Sequence, residues 1–353
     1  MKILVLDGDG IGPEIANATV RAVDALNHRL NLGLEITRAD SGLSSLEKHG
    51  VTLTDEVQAQ AAEADGVILG PTHSLIYPSP EEGGINLSPW FRKTFDLYAN
   101  VRPARARPGI RAMAQDIDLV MVRENTEGFY ADRAMFQGSG EFLATEDVAL
   151  AVRKITKQAS ARITESACRL AMARRRKLTI VHKRNVLKLS DGLFTDTAHE
   201  VASKYDGLEV DEVIVDAMAA LLVRQPAAFD VVVTTNMFGD ILSDLSAELS
   251  GGLGLGPSIN AGADHAIAQA AHGSAPDIAG QNIANPTALM LSAGMLLDWL
   301  GDRNGREDLT GASQLLREVV DAQLSDKSGR TTDLGGPLGT DAFGDTVAAR
   351  ISG

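Results

Sequence analysis

The sequence predicts an α/β protein built on a mostly parallel sheet. Two observations predict it. Short apolar runs recur along the chain: KILVL at 2–6, GVILG at 66–70, IDLVMV at 117–122, LTIVHK at 178–183, EVIV at 212–215 and DVVVTT at 230–235. Runs of four to eight such residues read as buried strands. Segments with helical spacing lie between many of them, and strand–helix–strand alternation implies right-handed parallel crossovers.

The elements follow in order. After strand 2–6 comes the turn GDGIG, and a helix opens at Pro13, where a missing N–H forfeits no bond. Ile15, Ala18, Ala22, Ala25, Leu26 and Leu30 repeat at helical spacing. Residues 34–37 read as a second strand, and a helix over about 54–64 precedes strand 66–70. A loop over 71–88 holds Pro78, Pro80, Gly83 and Gly84. A short helix over 89–96 and an extended LYANVRP follow. Strand 117–122 runs into RENTEGFY, and the longest helix is expected over 147–173. The later strands each deliver polar residues at their C-terminal ends, where open α/β sheets bind ligands. The glycine-dense GGLGLGPS at 251–258 reads as a boundary. Two helices, about 286–300 and 307–323, complete the tail.

The length of 353 residues suits two domains or one large one. A formal net charge of −14 disfavours binding to nucleic acid or to anionic lipid. A single cysteine, Cys168, excludes an intrachain disulfide and a cysteine zinc cluster, and fits a reducing compartment. No apolar run approaches the ~20 residues of a membrane span, and the N-terminus lacks a signal-peptide pattern. The expectation is a cytoplasmic protein.

Several residues could carry chemistry. Asp240 and Asp244 in NMFGDILSDL are four apart, so on a helix they share one face. Like charges that close suit a hard cation such as Mg²⁺ or Mn²⁺; solvated surface charges are the other reading. Asp216 after EVIV is a third carboxylate, or a helix N-cap. Arg92, Arg102 and Arg123 sit at element edges and would suit a substrate with two or three carboxylates, if they converge. Lys183 and Tyr130 could move protons, or be a solvated lysine and a half-buried tyrosine. In HGSAPDIAG, the small residues Gly273, Ser274 and Ala275 after His272 admit a ligand to the backbone. Asp277 could accept from a ribose diol and repel a 2′-phosphate, which favours NAD; a plain turn-rich loop is the alternative. Gly8, Gly10 and Gly12 do not match G-x-G-x-x-G, so this turn is no Rossmann fingerprint.

GDGIGPEI, FRKTFDLYANVRP, VRENTEGFY, HKRNVLKLSDGLF, VDAMA, NMFGDILSDL, GGLGLGPS, HGSAPDIAG and IANP together resemble the metal-dependent β-decarboxylating dehydrogenases, the isocitrate/isopropylmalate dehydrogenase family. The resemblance covers nearly the whole chain. It implies two α/β domains with a cleft between them: a large one from 1–97 plus 251–353 and a small one from 98–250. It implies NAD-dependent oxidative decarboxylation of a 3-substituted malate, with isocitrate or homoisocitrate favoured over 3-isopropylmalate, tartrate or D-malate. A non-catalytic regulatory subunit is a third possibility. It implies Mg²⁺ or Mn²⁺ on Asp240, Asp244 and Asp216, and catalysis by Tyr130, Lys183 and Asp216. Arg92, Arg102 and Arg123 would hold carboxylates, with Asn86 and Ser88 near the C3 substituent. Thr72, Asn185, His272, Gly273, Ser274, Ala275, Asp277, Ile278 and Asn285 would line the cofactor. A homodimer or higher oligomer is implied, in which Lys183 and Asp216 serve the partner's site. The chain departs from the family pattern at Ala268 and Gln269, where Phe-Glu is usual, at Arg184, where alanine is common, and at Pro89 and Trp90. Asn86 and Ser88 match isocitrate enzymes in residue type but in reversed order.

Overall fold

The computed structural model describes residues 1–130, 135, 138 and 140–353. Its strands are β1 (Lys2–Leu6), β2 (Glu35–Ala39), β3 (Gly66–Leu69), β4 (Ala99–Arg105), β5 (Asp118–Glu124), β6 (Glu141–Thr145), β7 (Val148–Ala151), β8 (Lys177–His182), β9 (Glu209–Ile214), β10 (Val231–Thr234), β11 (Ile259–Ala261) and β12 (Ala266–Ala268). Its helices are α1 (Gly12–Leu30), α2 (Leu43–His49), α3 (Asp55–Glu63), α4 (Leu87–Thr94), α5 (Lys157–Met172), α6 (Ser190–Ala202), α7 (Val215–Arg224), α8 (Asn236–Ser250), α9 (Thr287–Asn304), α10 (Glu307–Ser325) and α11 (Thr340–Ser352).

Ten strands form one sheet in the order β2-β1-β3-β12-β11-β4-β5-β10-β8-β9. The outer ladders are parallel, as the buried apolar runs require. The middle is not: β12–β11, β11–β4 and β4–β5 are antiparallel. Strands β11 and β12 have three residues each, too few to leave a pattern in the sequence.

Two large cores flank this middle. One is built from both ends of the chain, with Ile15 and Leu26 of α1 packed with Leu296, Leu316 and Phe343 of α9, α10 and α11. The other joins Ile163 and Cys168 of α5 to Phe194 of α6 and to Val122, Ile180 and Val233 of the sheet. Helix α11 was not expected: TDAFGDTVAAR shows weak periodicity. It folds because Phe343, Val347 and Ile351 bury completely, and because Gly344 lets its backbone approach Ala18 of α1.

The expected helix over 147–173 is corrected. Residues 148–151 form β7, in a hairpin with β6, and α5 starts at Lys157. Gly128 and Lys154 exchange backbone hydrogen bonds at 2.8 and 3.0 Å, which holds that stretch extended. The Thr156 hydroxyl then caps α5 by accepting from Ala159 N at 3.2 Å. EVIV also splits: the strand ends at Ile214, and Val215 begins α7.

Cys168 is fully buried, and burial pushes its thiol up to about 12. Only a thiolate attacks a disulfide reagent. At pH 8 the folded protein is therefore expected to show no fast reaction with a chromogenic aryl disulfide, and denaturation should release one thiol per chain. Stoichiometric labelling of the native form would contradict this placement.

Candidate active site

The antiparallel middle of the sheet sets the site. It brings the C-terminal end of β5 and the start of β4 against the N-terminal turns of α8. Arg102 projects from β4 and Arg123 from β5, and both reach the carboxylates on α8. Arg102 Nη1 donates to Asp244 Oδ1 and to Ser243 Oγ, both at 2.9 Å, and Nη2 lies 3.4 Å from Asp240 Oδ1. Its Nε donates to Asn100 Oδ1 at 2.7 Å. Arg123, almost wholly buried, pairs with Asp240 Oδ1 and donates from Nε to Asn236 Oδ1 at 2.9 Å. Gly239 makes room for it: a Cβ there would sit 2.7 Å from Arg123 Cβ and Cγ. The Tyr130 hydroxyl donates to Asp240 Oδ2 at 3.3 Å, and the Arg123 guanidinium lies 5.9 Å from the Tyr130 ring centre.

Asp240 and Asp244 thus share one face of α8 with three polar groups converging on it, and they are not simply solvated surface charges. Burial holds the Asp244 carboxyl above its ordinary range, Arg102 opposes this, and the Asp240 charge adds to it. Two hard oxygen donors one helical turn apart suit Mg²⁺ or Mn²⁺. Asp216 does not complete a trio with them: no three His, Cys, Asp or Glu side chains form a metal-binding group among the described residues. Asp216 instead pairs with Lys183 Nζ, and that ammonium holds its carboxyl below the usual range. This chain therefore fits the metal with two of the three expected carboxylates.

Lys183 is fixed by two residues that sequence reasoning missed. Its backbone N donates to Asp191 Oδ2 at 2.5 Å, and Asp191 Oδ1 pairs with Arg153 Nη1 at 2.5 Å. Asp191 is fully buried and Arg153 nearly so. The Asp in LKLSDGLF was the available signal. Asn185 is exposed just beyond.

A second cleft, of about 410 Å³, is lined by His272, Gly273, Ala275, Ile278, Asn285 and Asp333, among others. The turn GDGIG, set aside as a phosphate loop, buttresses it. Ile11 N donates to Ser274 O at 2.9 Å, and Gly10 has φ +59 with no room for a Cβ, which would sit 2.0 Å from that oxygen. Asp9, also missed, accepts from His73 N at 2.7 Å and from the Tyr77 hydroxyl at 2.5 Å, and so shapes the loop carrying Thr72. Asn285 Nδ2 donates to Asp333 Oδ2 at 3.0 Å. His272 Nε2 is buried without a hydrogen-bond partner among the described residues. Burial also holds that imidazole below its usual pKa, hence neutral. A Cβ on Gly254 would touch Asn285 and Asp333 at 3.4–3.5 Å. An orphaned ring nitrogen and a glycine floor fit a nucleotide lying here. Asp277 is exposed beside it.

Between the two lies a polar pocket of about 170 Å³, bordered by Thr72, Ser88, Arg92, Arg102, Asn260 and Gln269. The three arginines are thus gathered: Arg92 and Arg102 share this pocket, and Arg102 and Arg123 share Asp240. Asn86 lies outside it, exposed at the start of α4.

Comparison with known proteins identifies the family. The family model for isocitrate/isopropylmalate dehydrogenase matches residues 2–347. The isocitrate/homoisocitrate dehydrogenase of Thermus thermophilus is 43% identical over 351 residues, covering 99% of this chain and 98% of that one. The 3-isopropylmalate/3-methylmalate dehydrogenase of Methanocaldococcus jannaschii is 39% identical over 355 residues, covering 99% and 98%. The crystal structure of isocitrate dehydrogenase from Methylococcus capsulatus superposes with a TM-score of 0.87 at 37% identity, covering 100% of this chain and 99% of that one.

Proposed function

Because the chain belongs to the isocitrate/isopropylmalate dehydrogenase family of decarboxylating dehydrogenases, we propose that it oxidises and decarboxylates a 3-substituted malate with NAD and Mg²⁺ or Mn²⁺. Isocitrate or homoisocitrate is the favoured acid. The observation that carries this reading is the convergence of Arg102, Arg123 and Tyr130 on Asp240 and Asp244. A non-catalytic subunit would have no need to keep these groups along with Lys183 and Asp216.

The roles follow from chemistry. Arg92, Arg102 and Arg123 bind the malate carboxylates and orient C2. Lys183, with Asp216 beside it, takes the proton of the 2-hydroxyl as hydride leaves C2. Tyr130 gives a proton to C3 after the β-carboxylate departs as CO₂. Asp240 and Asp244 would hold a divalent ion, which would supply Lewis acidity to the reaction. His272, Asn285 and Thr72 would hold NAD, which would supply the hydride acceptor. The cleft divides a domain of residues 1–97 plus 251–353 from one of residues 98–250, in line with the two cores. The test is NADH formation with isocitrate, homoisocitrate, 3-isopropylmalate, tartrate and D-malate, with Mn²⁺ or with EDTA. No turnover of any acid would refute the reading.

The separation of Lys183–Asp216 from Asp240–Asp244 in one chain supports a homodimer with shared sites. Val223 of α7 and Ile241 of α8 are 58% and 60% exposed on the helices that carry the acidic residues. The β6–β7 hairpin exposes Phe142, Leu143 and Leu150, and an isolated two-stranded sheet is marginal alone. Mixing inactive Lys183→Ala and Tyr130→Phe subunits is expected to restore up to about a quarter of wild-type activity per chain, because a mixed dimer holds one intact site. No recovery among verified mixed dimers would count against sharing.

Asp277 carries the cofactor choice. A carboxylate at this rim accepts from a ribose diol and repels a 2′-phosphate. NAD is expected to exceed NADP in kcat/KM by about 100-fold, and Asp277→Lys to narrow that gap by about tenfold or more. A wild-type preference for NADP would overturn the assignment.

A further inference from the structure

The 170 Å³ pocket between the arginines and the cofactor cleft has no acidic side chain among its described lining residues, in a chain of net charge −14. Two of its walls meet in one hydrogen-bonded pair. Gln269 Nε2 lies 2.9 Å from Ser88 Oγ, and Gln269 Oε1 lies 3.2 Å from the same oxygen. Both partners are rigidly mounted. Gln269 follows β12, and its backbone N donates to Ser258 O at 3.1 Å. Ser88 is on α4 one turn before Arg92, so the two side chains share a face.

The polarity of this pair decides what the pocket accepts. A serine hydroxyl has one proton to give and lone pairs to receive. The shorter contact makes the amide the donor and the serine oxygen the acceptor. The serine proton is then held only by the longer contact to an amide oxygen, and a carboxylate is the stronger acceptor. A carboxylate entering beside Arg92 therefore meets a guanidinium, a hydroxyl whose proton it can draw from the amide oxygen, and no acidic side chain among the described lining residues. A glutamate at 269 would claim the serine proton and bring a like charge into the pocket.

We propose that Gln269 is a positioning residue for substrate choice: its amide aims the Ser88 hydroxyl at a carboxylate on the C3 substituent of the acid, which selects a tricarboxylic malate over an alkyl malate. The inference rests on the dehydrogenase reading above and narrows its substrate.

The test compares isocitrate, whose C3 substituent ends in a carboxylate, with 3-isopropylmalate, whose substituent is a branched alkyl group. Q269E is expected to lower the isocitrate-to-isopropylmalate ratio of kcat/KM by about tenfold or more, the loss falling mainly on KM for isocitrate. Q269L, which removes the amide without adding charge, should lower the ratio in the wild-type background and leave it unmoved in S88A. A ratio unaffected by Q269E, or a Q269L effect of equal size in S88A, overturns the proposal. Should the wild type oxidise neither acid but turn over homoisocitrate, that acid takes the place of isocitrate in the ratio; should it oxidise none of the five acids, the dehydrogenase reading fails, and calorimetric titration of isocitrate then decides the pocket. Binding weakened by Q269E retains the assignment, and equal binding overturns it.

Discussion

Asp240→Asn is expected to lower kcat by about three orders of magnitude with every substrate tested. A Lewis-acidic ion contributes several kcal/mol to such a step, and each ~1.36 kcal/mol is tenfold in rate. Asparagine keeps the shape of the side chain and one oxygen, but removes the charge that opposes Arg102 and Arg123 and would hold the ion. The cost to folding is much smaller. Asp240 is 35% exposed, and Asp244 still faces Arg102, so a loss of about 1–2 kcal/mol is expected. Turnover with Mn²⁺, Mn²⁺ affinity by calorimetry and a urea melt separate the two effects. Wild-type turnover by the variant would remove the metal assignment.

The second large effect is on stability and lies away from the arginines. Asp191→Ala leaves the Arg153 guanidinium, 8% exposed, without its carboxylate and the Lys183 backbone N–H without its acceptor. Breaking a buried ion pair from one side costs about 3–5 kcal/mol. The urea midpoint should fall accordingly, and kcat should fall with it because the loop bearing Lys183 loses its anchor. Removing both members, Asp191→Leu with Arg153→Met, should recover part of the stability, since the double variant leaves no unpaired charge. It should not recover the activity. A single variant as stable as the wild type would show that the pair does not hold this loop.

Much of this protein was legible before any fold was known. The strands of the outer sheet announced themselves because a strand buried on both faces must be apolar throughout, and Pro13 opened α1 as a first-turn proline should. Asp240 and Asp244 were legible as a pair because helical geometry alone puts positions four apart on one face. Other features could not be read along the chain. The strand β7 inside an apparent helix depends on its antiparallel pairing with β6. The Asp9 carboxylate looks like any turn residue until His73 and Tyr77 fold over it. The glycines of GDGIG matched no phosphate fingerprint, and the reason for Gly10 lies in the carbonyl of Ser274, more than 260 residues away.

The sequence by itself determined the class of the fold, the spacing of the carboxylates and the inventory of arginines, because these depend on local periodicity and on residue chemistry. The tertiary structure decided which of those groups meet. Antiparallel pairing at the middle of the sheet turns Arg102 and Arg123 onto one helix face, and packing of the two chain ends builds a single core. Contacts between residues far apart in sequence have no period, so only the folded chain could supply them.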